Sequence, residues 1–302
     1  MNMKTTIAGV EFKNPIIAAS GTFGFGREYN EFYDVGKLGG ISSKGLTLLP
    51  RQGNPPVRIA ETPSGMLNSV GLQNPGVEYF IQNELPFMKS LGTVVIANAA
   101  GATEEDYVRI TEVLSESDVD MIELNISCPN VKKGGMAFGV DPDGVSHIVK
   151  AVRKVCKKPL IVKLTPNVSD ITKNALAAEN AGADAISLIN TITAMAVDFK
   201  TRKPVLKVVT GGLSGPAVKP IALRMVYECH KAVKIPIIGM GGIMTGTDAG
   251  EFMLCGASAV QVGTANIFDP YAALTVVNEL TSLCESDKIN NVQSLIGGLS
   301  VD

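Results

Sequence analysis

Asp120-Met121-Ile122-Glu123-Leu124-Asn125-Ile126-Ser127-Cys128-Pro129-Asn130 runs from a mostly apolar segment straight into an amide-rich loop. The segment shows no strict alternation, so it reads as a strand buried on both faces, the pattern of a parallel sheet covered by helices. Pro129 and the Gly134-Gly135 pair behind it mark where the strand gives way to a loop. Cys128 therefore stands on a strand's C-terminal lip, between two amides, where a thiol can move a proton. A cysteine can equally be a small buried hydrophobe and nothing more.

Working outward, similar apolar runs flanked by glycine recur at Pro15–Ala19, Gly39–Ser43, Thr93–Ala97, Leu160–Leu164, Ala185–Ile189, Ile235–Gly239 and Ala259–Val262, which with Asp120–Ile126 makes eight. Helical periodicity fills Thr103–Leu114, Pro142–Val155, Asp170–Ala181, Pro216–Ala232, Thr245–Leu254 and Pro270–Leu283. Asp141-Pro142 and Ser169-Asp170 place cap residues at helix entrances, and Gly182 is a C-terminal stop. The order is strand, helix, strand, helix to the end. Eight such units in 302 residues fit an α/β fold of the (β/α)8 TIM-barrel type, with an open doubly wound sheet as the alternative. Thr47–Gly76 and Ala194–Gly215 exceed what a minimal barrel needs, so they are expected to form inserted loops or hairpins at its C-terminal face. No linker divides the chain, which reads as a single domain over residues 1–302.

Composition narrows the partners. Hydrophobic residues make up 45% of the chain, enough for a large core, and 27 basic against 29 acidic residues leave a net charge of −2 without charge runs, so no footprint for nucleic acid or an anionic membrane is visible. The five cysteines, Cys128, Cys156, Cys229, Cys255 and Cys284, are scattered and lack any C-x-x-C pair. That argues against a disulfide framework, a zinc site or an iron–sulfur cluster in this chain, and for a reducing cytoplasm. The N-terminus has no secretory pattern and no apolar stretch is long enough to span a bilayer. His147 and His230 both fall in expected helices, so no metal site is anticipated.

In a barrel the strand C-termini form the active face. Here they offer Ser20-Gly21-Thr22, Ser43-Lys44-Gly45, Asn98, Asn125, Lys163, Asn190-Thr191, Gly241-Gly242 and Gly263-Thr264. The set suits a polar, planar, anionic molecule. Glycines after the seventh and eighth strands occupy the usual phosphate position, although glycine also turns chains for local reasons. Lys44 and Lys163 sit in or at the end of apolar strands, where a charge is costly unless it meets an anion or a carboxylate inside the barrel. Asn68, Asn125, Asn190 and Thr191 match the edges of a ring with several carbonyls and N–H groups, while Asn68 is also a common turn residue.

Ala18-Ala19-Ser20-Gly21-Thr22-Phe23-Gly24, Ser43-Lys44-Gly45, Asn68-Ser69-Val70-Gly71-Leu72-Gln73-Asn74-Pro75, Asn125-Ile126-Ser127-Cys128-Pro129-Asn130 and Gly241-Gly242-Ile243 together resemble the dihydroorotate dehydrogenases of pyrimidine biosynthesis. Cysteine in the Asn-x-Ser-Cys-Pro-Asn motif points to class 1. Arg51-Gln52-Gly53-Asn54-Pro55-Pro56 through Glu61-Thr62-Pro63-Ser64-Gly65-Met66 resembles subclass 1B, the NAD-linked form, more than the fumarate-linked 1A.

The resemblance implies one FMN at the top of a TIM barrel. It assigns to FMN the residues Ser20, Lys44, Gly45, Asn98, Asn125 and Lys163, then Ile189, Gly215, Gly241, Gly242, Gly263 and Thr264. Of these, Ile189 and Gly215 are supplied by the resemblance alone. Dihydroorotate is implied to lie against Lys44, the loop Asn68, Ser69, Val70, Gly71 and Leu72, and Asn125, Asn190 and Thr191, with Cys128 as catalytic base. Oxidation to orotate removes a proton from C5 and a hydride from C6, so the base and the flavin must flank the ring. Electrons are implied to reach NAD+ through a partner subunit carrying FAD and a 2Fe–2S cluster, in a heterotetramer of two catalytic and two partner chains. The alternatives are a 1A-like fumarate-reducing enzyme, a relative that oxidises dihydropyrimidines, and a non-redox barrel that binds a phosphorylated ligand.

Overall fold

A computed structural model describes residues 1–127 and 138–301. Eight parallel strands close into a barrel in chain order: β1 (Ile16–Ala18), β2 (Gly40–Ser42), β3 (Val94–Ala99), β4 (Met121–Asn125), β5 (Leu160–Lys163), β6 (Ala185–Leu188), β7 (Ile237–Met240) and β8 (Ala257–Val262), with β8 pairing back onto β1. Each expected apolar run falls on one of these strands, and the fold is a (β/α)8 barrel.

Strand periodicity of two divides each run between two environments. Outward residues such as Ile41, Val95, Ile122, Val162, Ile186 and Val260 join the large core beneath the helices. Inward residues at the barrel floor, Ile17, Ile96, Met121, Ile161, Ala185, Ile238 and Ala259, form a separate cluster. An N-terminal hairpin, Thr5–Ile7 paired with Val10–Phe12, supplies Ile7 and Phe12 to that cluster and plugs the floor. Here β2 contributes Gly40, where a Cβ would stand 3.0 Å from the Phe12 ring, so the missing side chain makes room for the plug. Two residues further along, the inward positions turn polar on six of the eight strands: Ser42, Asn98, Glu123, Lys163, Ser187 and Gln261 are all buried. The sequence thus builds a dry floor and a wet ceiling from the same strands.

Helices Glu104–Ser115, Pro142–Arg153, Ile171–Asn180, Lys219–Ala232, Gly246–Leu254 and Ala272–Ser286 cover the barrel. Thr103 and Thr245 each close a capping box with the aspartate three residues on, and Asp141 and Asp170 accept from backbone N–H groups of the helices they open. Strand–helix alternation fails in the first unit, where only the short turns Arg27–Asn30 and Val35–Lys37 separate β1 from β2. It resumes with a helical segment over Val77–Ser90 that the periodicity did not reveal, its middle turn Phe80–Glu84 widened just before Pro86.

The two long insertions meet. Ile59–Thr62 and Gly65–Asn68 form a hairpin in the first; Ile192–Met195 and Thr210–Ser214 form one in the second. Antiparallel pairing of Gly65–Asn68 with Thr210–Ser214 joins them into a four-stranded sheet. Met66, Leu213 and Ser214 of this sheet face the same cavity as the strand ends, so the insertions roof the C-terminal face of the barrel.

Candidate active site

The cavity under that roof is walled by the inward ends of all eight strands or the loops that follow them. Lys44 and Gly45 come after β2, Asn98 from β3, Asn125 ends β4 and Lys163 ends β5, while Ser20 follows β1. Ile189, Asn190 and Thr191 follow β6; Gly241 and Gly242 follow β7; Gly263 and Thr264 follow β8. Asn68, Val70, Gly71, Leu72 and Gly215 reach the same space from the insertions. Ser69 stands apart: it is fully buried behind the wall, with its N–H donating to the Arg58 carbonyl at 2.7 Å. Cys128 lies outside the described residues.

At the centre of the polar layer is Glu123, a residue the sequence reading left unmarked inside its apolar run. Its Oε2 accepts from Asn98 Nδ2 at 2.6 Å and Ser42 Oγ at 3.2 Å, and its Oε1 accepts from Ser187 Oγ at 2.7 Å and Gln261 Nε2 at 2.8 Å. Lys163 Nζ lies 3.7 Å from Oε2 and donates to Ser20 Oγ at 3.4 Å. Lys163 therefore does both things considered for it: it pairs with a carboxylate inside the barrel and it faces the cavity. Burial pushes the Glu123 carboxyl up, but the Lys163 ammonium and the bonds from Ser187, Asn98 and Gln261 outweigh it and hold the group below the usual carboxylate range.

From Asn98 the hydrogen bonds continue along the wall. Asn125 Nδ2 donates to Asn98 Oδ1 at 3.1 Å, Ser127 Oγ donates to Asn125 Oδ1 at 3.0 Å, and Asn190 Nδ2 donates to Ser127 Oγ at 2.7 Å. The Thr191 N–H closes the series on Asn190 Oδ1 at 2.8 Å. Tyr107 Oη donates to the Asn125 carbonyl at 2.9 Å and steadies the end of β4. Asn167, also unmarked in the sequence, ties down the loop after β6 by donating to the Thr191 carbonyl at 3.0 Å and accepting from the Thr193 N–H at 2.8 Å. Its signal was an amide shortly after a strand end, weaker than a named motif.

After β7 and β8, and at Gly215 of the second insertion, the wall is glycine. Gly215, Gly241 and Gly242 adopt φ of +97°, +123° and +83°, a backbone region that side chains rarely enter. A Cβ on Gly242 would stand 2.7 Å from Lys219 Cβ and 2.9 Å from the Gly215 carbonyl oxygen. Gly242→Ala should accordingly cost about 1–3 kcal/mol of backbone strain. At about 2 °C per kcal/mol for a chain of this size, the Tm falls by several degrees. Calorimetry returning the wild-type Tm would show that the loop relaxes freely.

These residues fit a phosphorylated flavin. Gln261 Oε1 is buried at the cavity wall with no partner among the described residues, because its amide nitrogen is committed to Glu123; a ring N–H would satisfy it. Gly21 and Gly263 have no atom closer than 3.6 Å to where a Cβ would be, so a side chain there would take up ligand space. The glycine backbone leaves N–H groups available to a phosphate, and the two lysines suit an electron-accepting ring. Among the described residues no cluster of His, Cys, Asp or Glu could hold a metal ion, and no helix is long and apolar enough to cross a membrane.

The family model described as dihydroorotate dehydrogenase matches residues 2–283. The chain is 57% identical over 301 residues to a protein of Caldicellulosiruptor saccharolyticus named dihydroorotate dehydrogenase B (NAD(+)), catalytic subunit, covering 100% of both chains. A protein of the same name from Caldicellulosiruptor bescii is also 57% identical over 301 residues, and one from Bacteroides thetaiotaomicron is 54% identical over 301 residues, covering 99% of each chain.

Proposed function

The chain belongs to the dihydroorotate dehydrogenase family of enzymes, and on that premise we propose that it oxidises (S)-dihydroorotate to orotate in the synthesis of UMP. One observation carries the reading: three asparagines, Asn98, Asn125 and Asn190, two lysines and a glycine cradle line the same roofed cavity. Gly215, Gly241, Gly242, Gly263 and Thr264 would hold the phosphate of FMN, and Ser20, Lys44, Gly45, Asn98, Asn125, Lys163 and Ile189 its ring. When bound, FMN supplies a two-electron acceptor.

The protein's own residues do the rest. Asn125, Asn190 and Thr191 fix the substrate ring by its polar edges, and the loop Asn68–Leu72, with Ser69 as its buried anchor, closes over it. Lys44 and Lys163 steady negative charge, Lys163 from its place beside the buried Glu123 carboxylate. Cys128 Sγ takes the proton from C5 of the substrate. Electrons leave to NAD+ through a partner subunit with FAD and a 2Fe–2S cluster, in an assembly of two catalytic and two partner chains working in the cytoplasm.

An absorbance spectrum tests the core of this reading. The purified chain should be yellow and should bleach within a turnover of adding dihydroorotate. A colourless protein that binds a sugar phosphate would replace the proposal with a non-redox barrel.

A further inference from the structure

The amide series has a direction, and its two ends are chemically fixed. At one end Glu123, wholly buried, can only accept while it is ionised; at the other the Thr191 backbone N–H can only donate. Between them every bond points the same way: Thr191 to Asn190, Asn190 to Ser127, Ser127 to Asn125, Asn125 to Asn98, Asn98 to Glu123. An asparagine amide turned by half a rotation keeps its shape and exchanges its donor and acceptor edges. Packing alone therefore does not decide which edge faces the cavity.

We propose that Glu123 is the positioning residue that sets this direction, so that the wall meets its ligand with N–H groups rather than carbonyls. Each amide oxygen is engaged within the series, and Asn125 keeps a second N–H beyond the one it gives to Asn98. A donor wall suits a substrate whose own edge is a carboxylate and ring carbonyls. That part of the inference rests on the dihydroorotate reading; the direction of the series rests on the hydrogen bonds alone. A purely structural Glu123 that only neutralises Lys163 would leave Asn98 and Asn125 free to turn.

Directionality makes the idea testable, because a cut should release what lies upstream of it and spare what lies between it and the anchor. The measurement is side-chain amide proton exchange at Asn125 and Asn190 in the 15N-labelled chain, without added ligand. Ser127→Ala should speed exchange at Asn190 by about tenfold or more and leave Asn125 near its wild-type rate, since one hydrogen bond on that scale is lost. Glu123→Gln should speed both. In the flavin-loaded protein, Glu123→Gln should also weaken orotate binding by about tenfold, the scale of one charge-assisted hydrogen bond. Should Glu123→Gln fail to fold, Asn98→Leu cuts the series between the anchor and Asn125 while keeping the Glu123–Lys163 pair, and the same two rates decide. Unchanged exchange at Asn125 on losing the anchor or Asn98, or equal release of Asn125 and Asn190 by Ser127→Ala, overturns the proposal. A wild-type chain that binds no orotate would instead remove the functional reading and leave the exchange pattern to be judged alone.

Discussion

Cys128→Ala should yield a protein as yellow as the wild type whose flavin dihydroorotate reduces at least about a hundredfold more slowly, the scale on which a general base acts. The C5 proton has to leave for a group on the side of the ring away from the flavin. Ser127, the residue before Cys128 in the sequence, is held on the C-terminal lip of β4 by bonds to Asn125 and Asn190. A free thiol titrates at about 8.5, so the wild-type rate should climb as pH rises from 6 toward about 8.5 with the thiolate fraction. The alanine variant should lose that slope. Single-turnover reduction at the wild-type rate by Cys128→Ala would take the base assignment away from this residue.

What the sequence made legible follows from where its residues end up. The barrel strands were readable because both of their faces are buried, which writes them as continuous apolar runs bounded by glycine. The roof was not. Ile59–Thr62 and Ile192–Met195 are short, alternate between half-buried and exposed, and gain their order from pairing with one another through Gly65–Asn68 and Thr210–Ser214, across more than a hundred residues of chain. The N-terminal hairpin was equally hidden, since it turns at Ala8-Gly9, both with positive φ, rather than at the Asn-Gly pair that announces such turns.

The site divides in the same way. The candidate residues at strand ends were picked out by position, because β-strand periodicity carries every second residue inward and the last inward residue faces the cavity. Glu123 was passed over because it looks like one polar residue in an apolar run. Its meaning comes from Ser42, Asn98, Lys163, Ser187 and Gln261, which five other strands bring to it. Nothing local in the sequence encodes that convergence. A single charged residue in the middle of a strand buried on both faces was the one available signal, since such a charge persists only when partners await it.

The path of electrons out of the site leads to the other large effect. Of the described cysteines, Cys156, Cys229 and Cys284 are buried, Cys255 is half-buried, and none belongs to a cluster that could ligate iron. Burial pushes the Cys229 thiol up to about 12, which keeps it protonated and poor as a ligand. The described residues form one roofed cavity that gathers the candidate flavin residues, and the relatives that match the chain end to end are named as catalytic subunits. The isolated chain should therefore oxidise dihydroorotate briskly with a small artificial dye, which can reach a flavin edge by diffusion. Its NAD+ reduction should be slower by about a hundredfold or more, the penalty when a reactant lacks a positioned site. Adding the proposed FAD and iron–sulfur partner should restore NAD+ turnover and leave the dye-linked rate nearly unchanged, because such a partner would extend the electron path without touching the proton chemistry. NAD+ reduction by the single chain at its dye-linked rate would eliminate the partner, and fast turnover with fumarate would move the enzyme to the fumarate-linked subclass.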